Sequence, residues 1–228
     1  MYQNSHILVE GLPVPSYSKE RADARKNDSE ETRANIIEVA TREFSDKGLA
    51  GARIDEIADK TNSSKRMIYY YFGGKDELYR AVLERSYANI REREIVENFE
   101  ALPADEALAA HVAHTFDYHA SHPEFIRLVM NENIHRAEHL QHVSGIKDRN
   151  QMVIASLQAI IDKGVTAGLF RHDIDPVDLH MSISALCFFN VSNRHTFSTI
   201  FSRDIGAPDA MARRREQVVA MILKSVRV

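Results

Sequence analysis

The residues of this 228-residue chain best equipped for chemistry stand together in one short segment. Ser64 to Phe72 reads SKRMIYYYF, and Lys75 follows the pair Gly73-Gly74. Lys65, Arg66 and Met67 open a run in which two cations reach base edges or phosphate oxygens. The hydroxyls of Tyr69, Tyr70 and Tyr71 suit phosphate oxygens. Four consecutive aromatics cannot all face one core, because successive helical residues turn by about 100°. Phe72 takes the buried side, Tyr69 is open between burial and contact, and Tyr70 and Tyr71 are left for contact. Lys75 adds a cation beside the amide groups that open the next helix.

Holding such a segment against a surface requires elements on either side of it. Ser64 is a good N-cap for a short helix over 65–72, and Ile54 to Lys60 fits another, with Ile57 and Ala58 facing inward. The break at Thr61 to Ser63, with small Ala58 where the backbones approach, gives the helix-turn-helix arrangement, whose second helix enters the major groove. Upstream, Asp28 and Glu31 have capping-box spacing, and Ile36, Ile37, Ala40 and Phe44 recur at helical spacing until Gly48 stops the helix. Downstream, Asp76 and Glu77 open a helix with the stripe Leu78, Tyr79, Val82, Leu83, Tyr87 and Ile90. Residues 19–80 carry as many cations as anions, so the net charge of −4 falls on the rest of the chain. A basic contact face must arise by arrangement rather than by composition.

The remaining helices read from Pro103 to about Ser121, from Pro123 to about Asn131, from about Gly145 to Val165, from the Asp175-Pro176 cap through Phe197, and from Pro208 to Val226. No strand is expected, and the fold class is all-α. The helix with Leu179, Ile183, Leu186, Phe188, Phe189 and Phe197 is apolar around too much of its circumference for a single neighbour. Two-sided burial across a homodimer interface is expected, with burial inside one chain the alternative. Asn190, Ser192, Asn193 and His195 interrupt that helix and would orient a ligand or bond across a dimer.

The one cysteine, Cys187, offers neither a disulfide nor a thiolate cluster and reads as a small core residue. Of the 11 histidines, His111 and His114, and separately His135, His139 and His142, would share helical faces. Their surroundings favour solvated or core positions, so no metal and no cofactor is expected. There is no nucleophile motif or glycine-rich phosphate loop, which argues against an enzyme. Neither a secretory signal nor a membrane span is evident, and the expected location is cytoplasmic.

The run GARIDEIADKTNSSKRMIYYYFGGKDELYRAVL resembles the DNA-binding domain of the TetR/AcrR family of bacterial transcriptional regulators. The stretch Thr32 to Gly48 matches that family's first helix. The resemblance implies a three-helix helix-turn-helix domain followed by a larger helical domain for ligand binding and dimerisation. It divides the chain into a flexible arm (1–28), a DNA-binding domain (29–75) and a regulatory domain (76–228). Lys65, Arg66 and Met67 would then read bases, and Tyr70, Tyr71 and Lys75 would hold phosphate, with Ser64 and Tyr69 in the same surface. Two positions depart from the family pattern. Asn62-Ser63 replaces the usual Gly-Val, and Asn tolerates the left-handed conformation the turn needs. Ala52-Arg53 replaces a threonine pair, which makes Arg53 a further phosphate contact. The resemblance places the dimer interface on the last two apolar helices, with Leu179, Ile183, Leu186, Val218 and Ile222 as its residues. The function implied is a homodimeric repressor released from a palindromic operator in double-stranded DNA by a small organic effector. A helical enzyme or a protein-binding adaptor is the alternative.

Overall fold

The computed structural model describes residues 17–96 and 99–228. Two compact units are distinguished, one ending at Asn35 and the other comprising Ile36–Val228. Residues 1–16 of the expected arm lie outside the described residues. From Tyr17 onward the chain is helical, so residues 17–28 of the expected arm belong to α1 (Tyr17–Gly51). Lys19 to Asp28 contains neither Pro nor Gly and is rich in Ala, Lys, Arg and Glu, which favour helix even without an apolar stripe. Asp28 is accordingly no N-cap; its carbonyl accepts from the Thr32 hydroxyl at 2.7 Å inside the helix. The expected stop at Gly48 is present as a break, with φ 66° and ψ 173°, and one further turn follows to Gly51.

In the second unit follow α2 (Ile54–Lys60), α3 (Lys65–Phe72), α4 (Lys75–Val96), α5 (Ala104–Ser121), α6 (Pro123–Ile134) and α7 (Ile146–Thr166). Then come α8 (Pro176–Ser192), α9 (Arg194–Phe201) and α10 (Pro208–Val226). Asp175 caps α8 by accepting from the amides of Val177 at 2.7 Å and Asp178 at 3.0 Å. The apolar helix expected through Phe197 breaks at Asn193, and α9 starts immediately beyond it. Asn193 donates to the Ser192 hydroxyl at 2.7 Å, the kind of local side-chain bond that competes with a continuing helix. After α6 the backbone turns through positive φ at Arg136 (58°) and Ala137 (59°). His135, His139 and His142 therefore do not share a helical face. Among the described residues the only extended pairing noted is an isolated bridge between Phe170 and Arg227.

Among the described residues, most buried apolar side chains gather in three clusters. The first joins α1, α2, α3 and the start of α4 through Ile36, Phe44, Ile57, Ile68, Phe72, Leu78 and Tyr79, and it includes Leu128 of α6 and Val143. The second fills the space among α5, α7, α8 and α10, and the third gathers Ile90, Tyr118, Phe125 and Ile126. A boundary at residue 75 thus falls just before a helix whose first turns belong to the helix-turn-helix core.

Four of the five residues expected at a dimer interface are buried within the chain. Leu179, Ile183, Val218 and Ile222 lie in the second cluster at 6, 0, 0 and 3 % exposure, and Leu186 packs against it. The reason is that α5 and α7 already cover this face of α8, and α5 covers that of α10. What stays exposed on these helices is a different set, Val177, Met181, Phe189 and Met221. Cys187 is in the same core, and burial pushes its thiol up to about 12.

Gly164 of α7 is where the Phe170 ring lies across the helix. A Cβ built there would stand 2.0 Å from that ring. Gly164→Ala is expected to displace Phe170 and lower stability by about 1–3 kcal/mol in urea unfolding. A wild-type midpoint for the variant would show that the ring yields freely.

Candidate nucleic-acid interface

The geometry of α3 begins at its N-cap. The Ser64 hydroxyl accepts from the Met67 amide at 3.2 Å, so this serine fixes the helix start as well as lying on its exposed side. Before it, the turn closes through the Ser63 amide on the Ala58 carbonyl at 3.1 Å. Asn62 sits at φ 51°, the left-handed conformation that its side chain tolerates in place of glycine. Thr61 is buried and returns its hydroxyl to the Ile57 carbonyl at 2.9 Å. Gly73, at φ 90°, ends α3, and the Leu78 amide then bonds the Gly74 carbonyl at 3.0 Å as α4 starts.

This framework divides α3 into two faces. Ile68 and Phe72 face the core at 0 and 8 % exposure. Lys65, Arg66, Met67, Tyr69 and Tyr70 face solvent, and Tyr70 is the most open of the aromatics at 78 %. Tyr71 is half-buried and packs on the core cluster, so its ring serves packing to a degree the sequence reading did not assign. It also meets Tyr70 edge-on at a centroid distance of 5.4 Å. Arg53 stands exposed at the N-cap of α2. Lys75 is partly buried and donates back to the Ala50 carbonyl at 3.4 Å. The predicted residues therefore gather around the exposed side of α3, with Tyr71 and Lys75 at its inner edge.

Several carboxylates set the electrostatics of this region, and the sequence reading missed them. Glu43 of α1 is buried at 3 % exposure and ion-pairs with Lys47 and, at 2.6 Å, with Lys60 at the end of α2. Lys47 also pairs with Glu56. Burial by itself would raise the Glu43 carboxyl, but hydrogen bonds from Lys47 and Lys60 outweigh it and hold the group at about 2 against an ordinary 4.5. Asp55, in the first turn of α2, pairs with Lys65 and lies 3.5 Å from the Arg53 guanidinium. Glu43 and Lys47 have the i,i+4 spacing of one helix, whereas Glu43 with Lys60, Lys47 with Glu56 and Asp55 with Lys65 join different helices and carry no sequence periodicity.

A second group links this region to α6. Tyr79 of α4 is 1 % exposed, with Phe44 at 5.1 Å and His139 at 5.2 Å, both edge-on. Burial, with the charge of Glu132 and a hydrogen bond to it, raises the Tyr79 hydroxyl well above its ordinary range. The buried Glu132 carboxylate also accepts from the amides of His139 at 3.2 Å and Leu140 at 2.9 Å. Asn131 donates to the Phe44 carbonyl at 3.4 Å, and Arg127 pairs with Asp46. The end of α6 is thus bonded to α1, to α4 and to the loop that follows it.

Two family descriptions match this chain. Residues 36–82 match "Bacterial regulatory proteins, tetR family", and residues 105–222 match "Tetracyclin repressor-like, C-terminal domain". The HTH-type transcriptional repressor NicS of Pseudomonas putida is 35% identical over 192 residues, covering 84% of this chain and 91% of NicS. The repressor SCO4008 of Streptomyces coelicolor is 35% identical over 134 residues, 53% of this chain and 66% of that protein. Among solved structures, SCO4942 of Streptomyces coelicolor superposes with a TM-score of 0.65 at 27% identity, over 86% of this chain and 98% of that one. The chain belongs to the TetR family of bacterial transcriptional regulators, and its α2–α3 pair is the helix-turn-helix of that family.

Glu43 gives a pH signature. Its folded carboxyl titrates below the unfolded one, so its contribution is full above about pH 4.5 and is lost as pH falls from there toward 2. Glu43→Gln is expected to cost about 1.5–3 kcal/mol at neutral pH and to flatten the acid limb of the stability profile. Parallel profiles for the two proteins between pH 5 and 2.5 would assign the acid sensitivity elsewhere.

Proposed function

We propose that this protein is a cytoplasmic, non-enzymatic, homodimeric repressor that binds a palindromic operator and is released by a small organic effector. The observation that carries the reading is the division of α3. Ile68 and Phe72 anchor it, while Lys65, Arg66, Met67, Tyr69 and Tyr70 remain exposed on a helix held by a serine cap and a left-handed turn. Lys65, Arg66 and Met67 read base edges. Ser64, Tyr69 and Tyr70 meet the backbone, as do Arg53 and, from the inner edge, Tyr71 and Lys75. In domain terms, residues 29–75 with the first turns of α4 form the reading unit, and the later helices form the regulatory body. Repression is supported by the names of the relatives NicS and SCO4008.

The regulatory body supports the other two parts of the reading. More than half of the chain follows α3 and matches the family's carboxy-terminal domain, a helical body that contacting DNA does not itself require. The junction of Tyr79, Glu132 and His139 gives movement of α6 a route to α4, whose first residue adjoins α3. An effector that shifts this junction changes operator affinity, and by linkage the operator weakens effector binding by the same factor. For dimerisation, the exposed apolar residues Val177, Met181, Phe189 and Met221 replace the buried set first assigned.

Selection from random duplex DNA should recover a two-fold-related site with half-sites about 34–36 Å apart, or a multiple of that spacing. Lys65→Ala or Arg66→Ala should shift base preference at one position per half-site by about 1–3 kcal/mol. Arg53→Ala should weaken all duplexes alike. An unchanged motif in the Lys65 and Arg66 variants would remove them as base readers.

For the dimer, Met181→Asp combined with Met221→Asp should give a folded monomer by sedimentation and circular dichroism. Ile222→Asp, by contrast, should unfold the chain. A wild-type monomer at micromolar concentration would refute the dimer.

A further inference from the structure

Two of the cations proposed to meet DNA, Lys65 at the start of α3 and Arg53 at the N-cap of α2, share one carboxylate. Asp55 pairs through one oxygen with the Lys65 ammonium, and its other oxygen is 3.5 Å from the Arg53 guanidinium. Asp55 is 39% exposed, Lys65 58% and Arg53 68%, so all three groups reach solvent. The neighbouring carboxylate, Glu56, is engaged by Lys47 and does not duplicate this arrangement. An acidic residue in the middle of a surface proposed to meet DNA repels phosphate, and its presence there needs a physical account.

Exposed ion pairs are weak, so DNA can break them. Their anion is nevertheless tethered beside the cations, and every phosphate must compete with it. A non-cognate duplex is held through its phosphates, with its base-edge acceptors out of register with Lys65, and meets that competition in full. A cognate duplex also offers base-edge acceptors, which take Lys65 without placing a second full negative charge against Asp55. The carboxylate therefore penalises non-specific binding more than specific binding, as a repulsive element that sharpens discrimination does.

We infer that Asp55 is a specificity-determining positioning residue, which holds Lys65 and Arg53 in the free protein and suppresses their binding to phosphates of unrelated DNA. This rests on the reading of Lys65 and Arg53 as DNA contacts. Asp55→Asn should raise affinity for a scrambled duplex by about two- to fivefold. Affinity for the selected site should change less, so the ratio between the two falls. The salt dependence on the scrambled duplex should steepen by roughly 0.9 for each cation freed to reach a phosphate.

The test is titration of the full-length protein with the duplex recovered by selection and with its scrambled counterpart, across a salt series. Asp55→Glu should keep the wild-type ratio. Glu56→Gln removes an acidic group from the same helical turn and should leave the ratio unchanged, which separates the effect from general stabilisation of α2. Adding Lys65→Met to Asp55→Asn should abolish most of the gain on scrambled DNA. If wild-type protein prefers the selected site but Asp55→Asn shows the same ratio and slope, this inference fails alone. The same holds if Asp55→Asn selects a new base at one position, since Asp55 would then be a base reader. If wild-type protein does not distinguish the two duplexes, the DNA-contact reading fails and this inference with it.

Discussion

The structure depends most on the burial of Tyr79. Its ring is enclosed by Phe44 on one side and His139 on another, and its hydroxyl is bonded to the buried carboxylate of Glu132. An aromatic with a polar tip is stable in such a place only if the tip is satisfied, and a buried carboxylate only if donors surround it. Each therefore requires the other. Together they fix α4 against α1 and hold the end of α6 and its following loop at the same point. Leu78, Val82 and Leu83, all fully buried, complete the contact and make the opening of α4 part of the core that supports α2 and α3.

From that fixed helix the reading surface follows. Its framework combines the buried anchors Ile57, Ile68 and Phe72 with the left-handed turn at Asn62 and the cap at Ser64. Around it the charges balance in number, and position decides what each does. Glu43 draws Lys47 and Lys60 to the joint between α1 and α2, whereas Arg66 stays exposed on α3. The structure thus sorts cations into those that hold the domain together and those available to a partner. This is how a TetR-family regulator with a net charge of −4 can carry a local surface suited to a polyanion.

The same sorting applies to the apolar residues of the last helices. A helix as apolar as α8 must be covered on more than one side, and from its sequence a second subunit is one source of that cover. Within the chain, α5 and α7 already bury Leu179 and Ile183, and α10 contributes Val218 and Ile222 to the same core. The uncovered apolar residues are offset from these around the helix. Conversely, Asn190 is buried and bonds the Leu186 carbonyl one turn back at 2.8 Å, so its polarity is satisfied within α8.

The sequence alone determined the features encoded over a few neighbouring residues. The helix-turn-helix, its cap at Ser64, the tolerance of Asn62 for a left-handed turn, the cap at Asp175 and the positions of α5 to α7 and α10 were all legible, because caps, breakers and periodicity act locally. Tertiary structure decided what depends on which surfaces meet. It divided the tyrosines, leaving Tyr70 open and Tyr71 against the core. It also paired Asp55 with Lys65, Glu43 with Lys60 and Glu132 with Tyr79, residues separated by at least ten positions. Such pairings follow from helix packing, and one unaligned sequence gives the spacing along each helix but not the neighbour that each face meets.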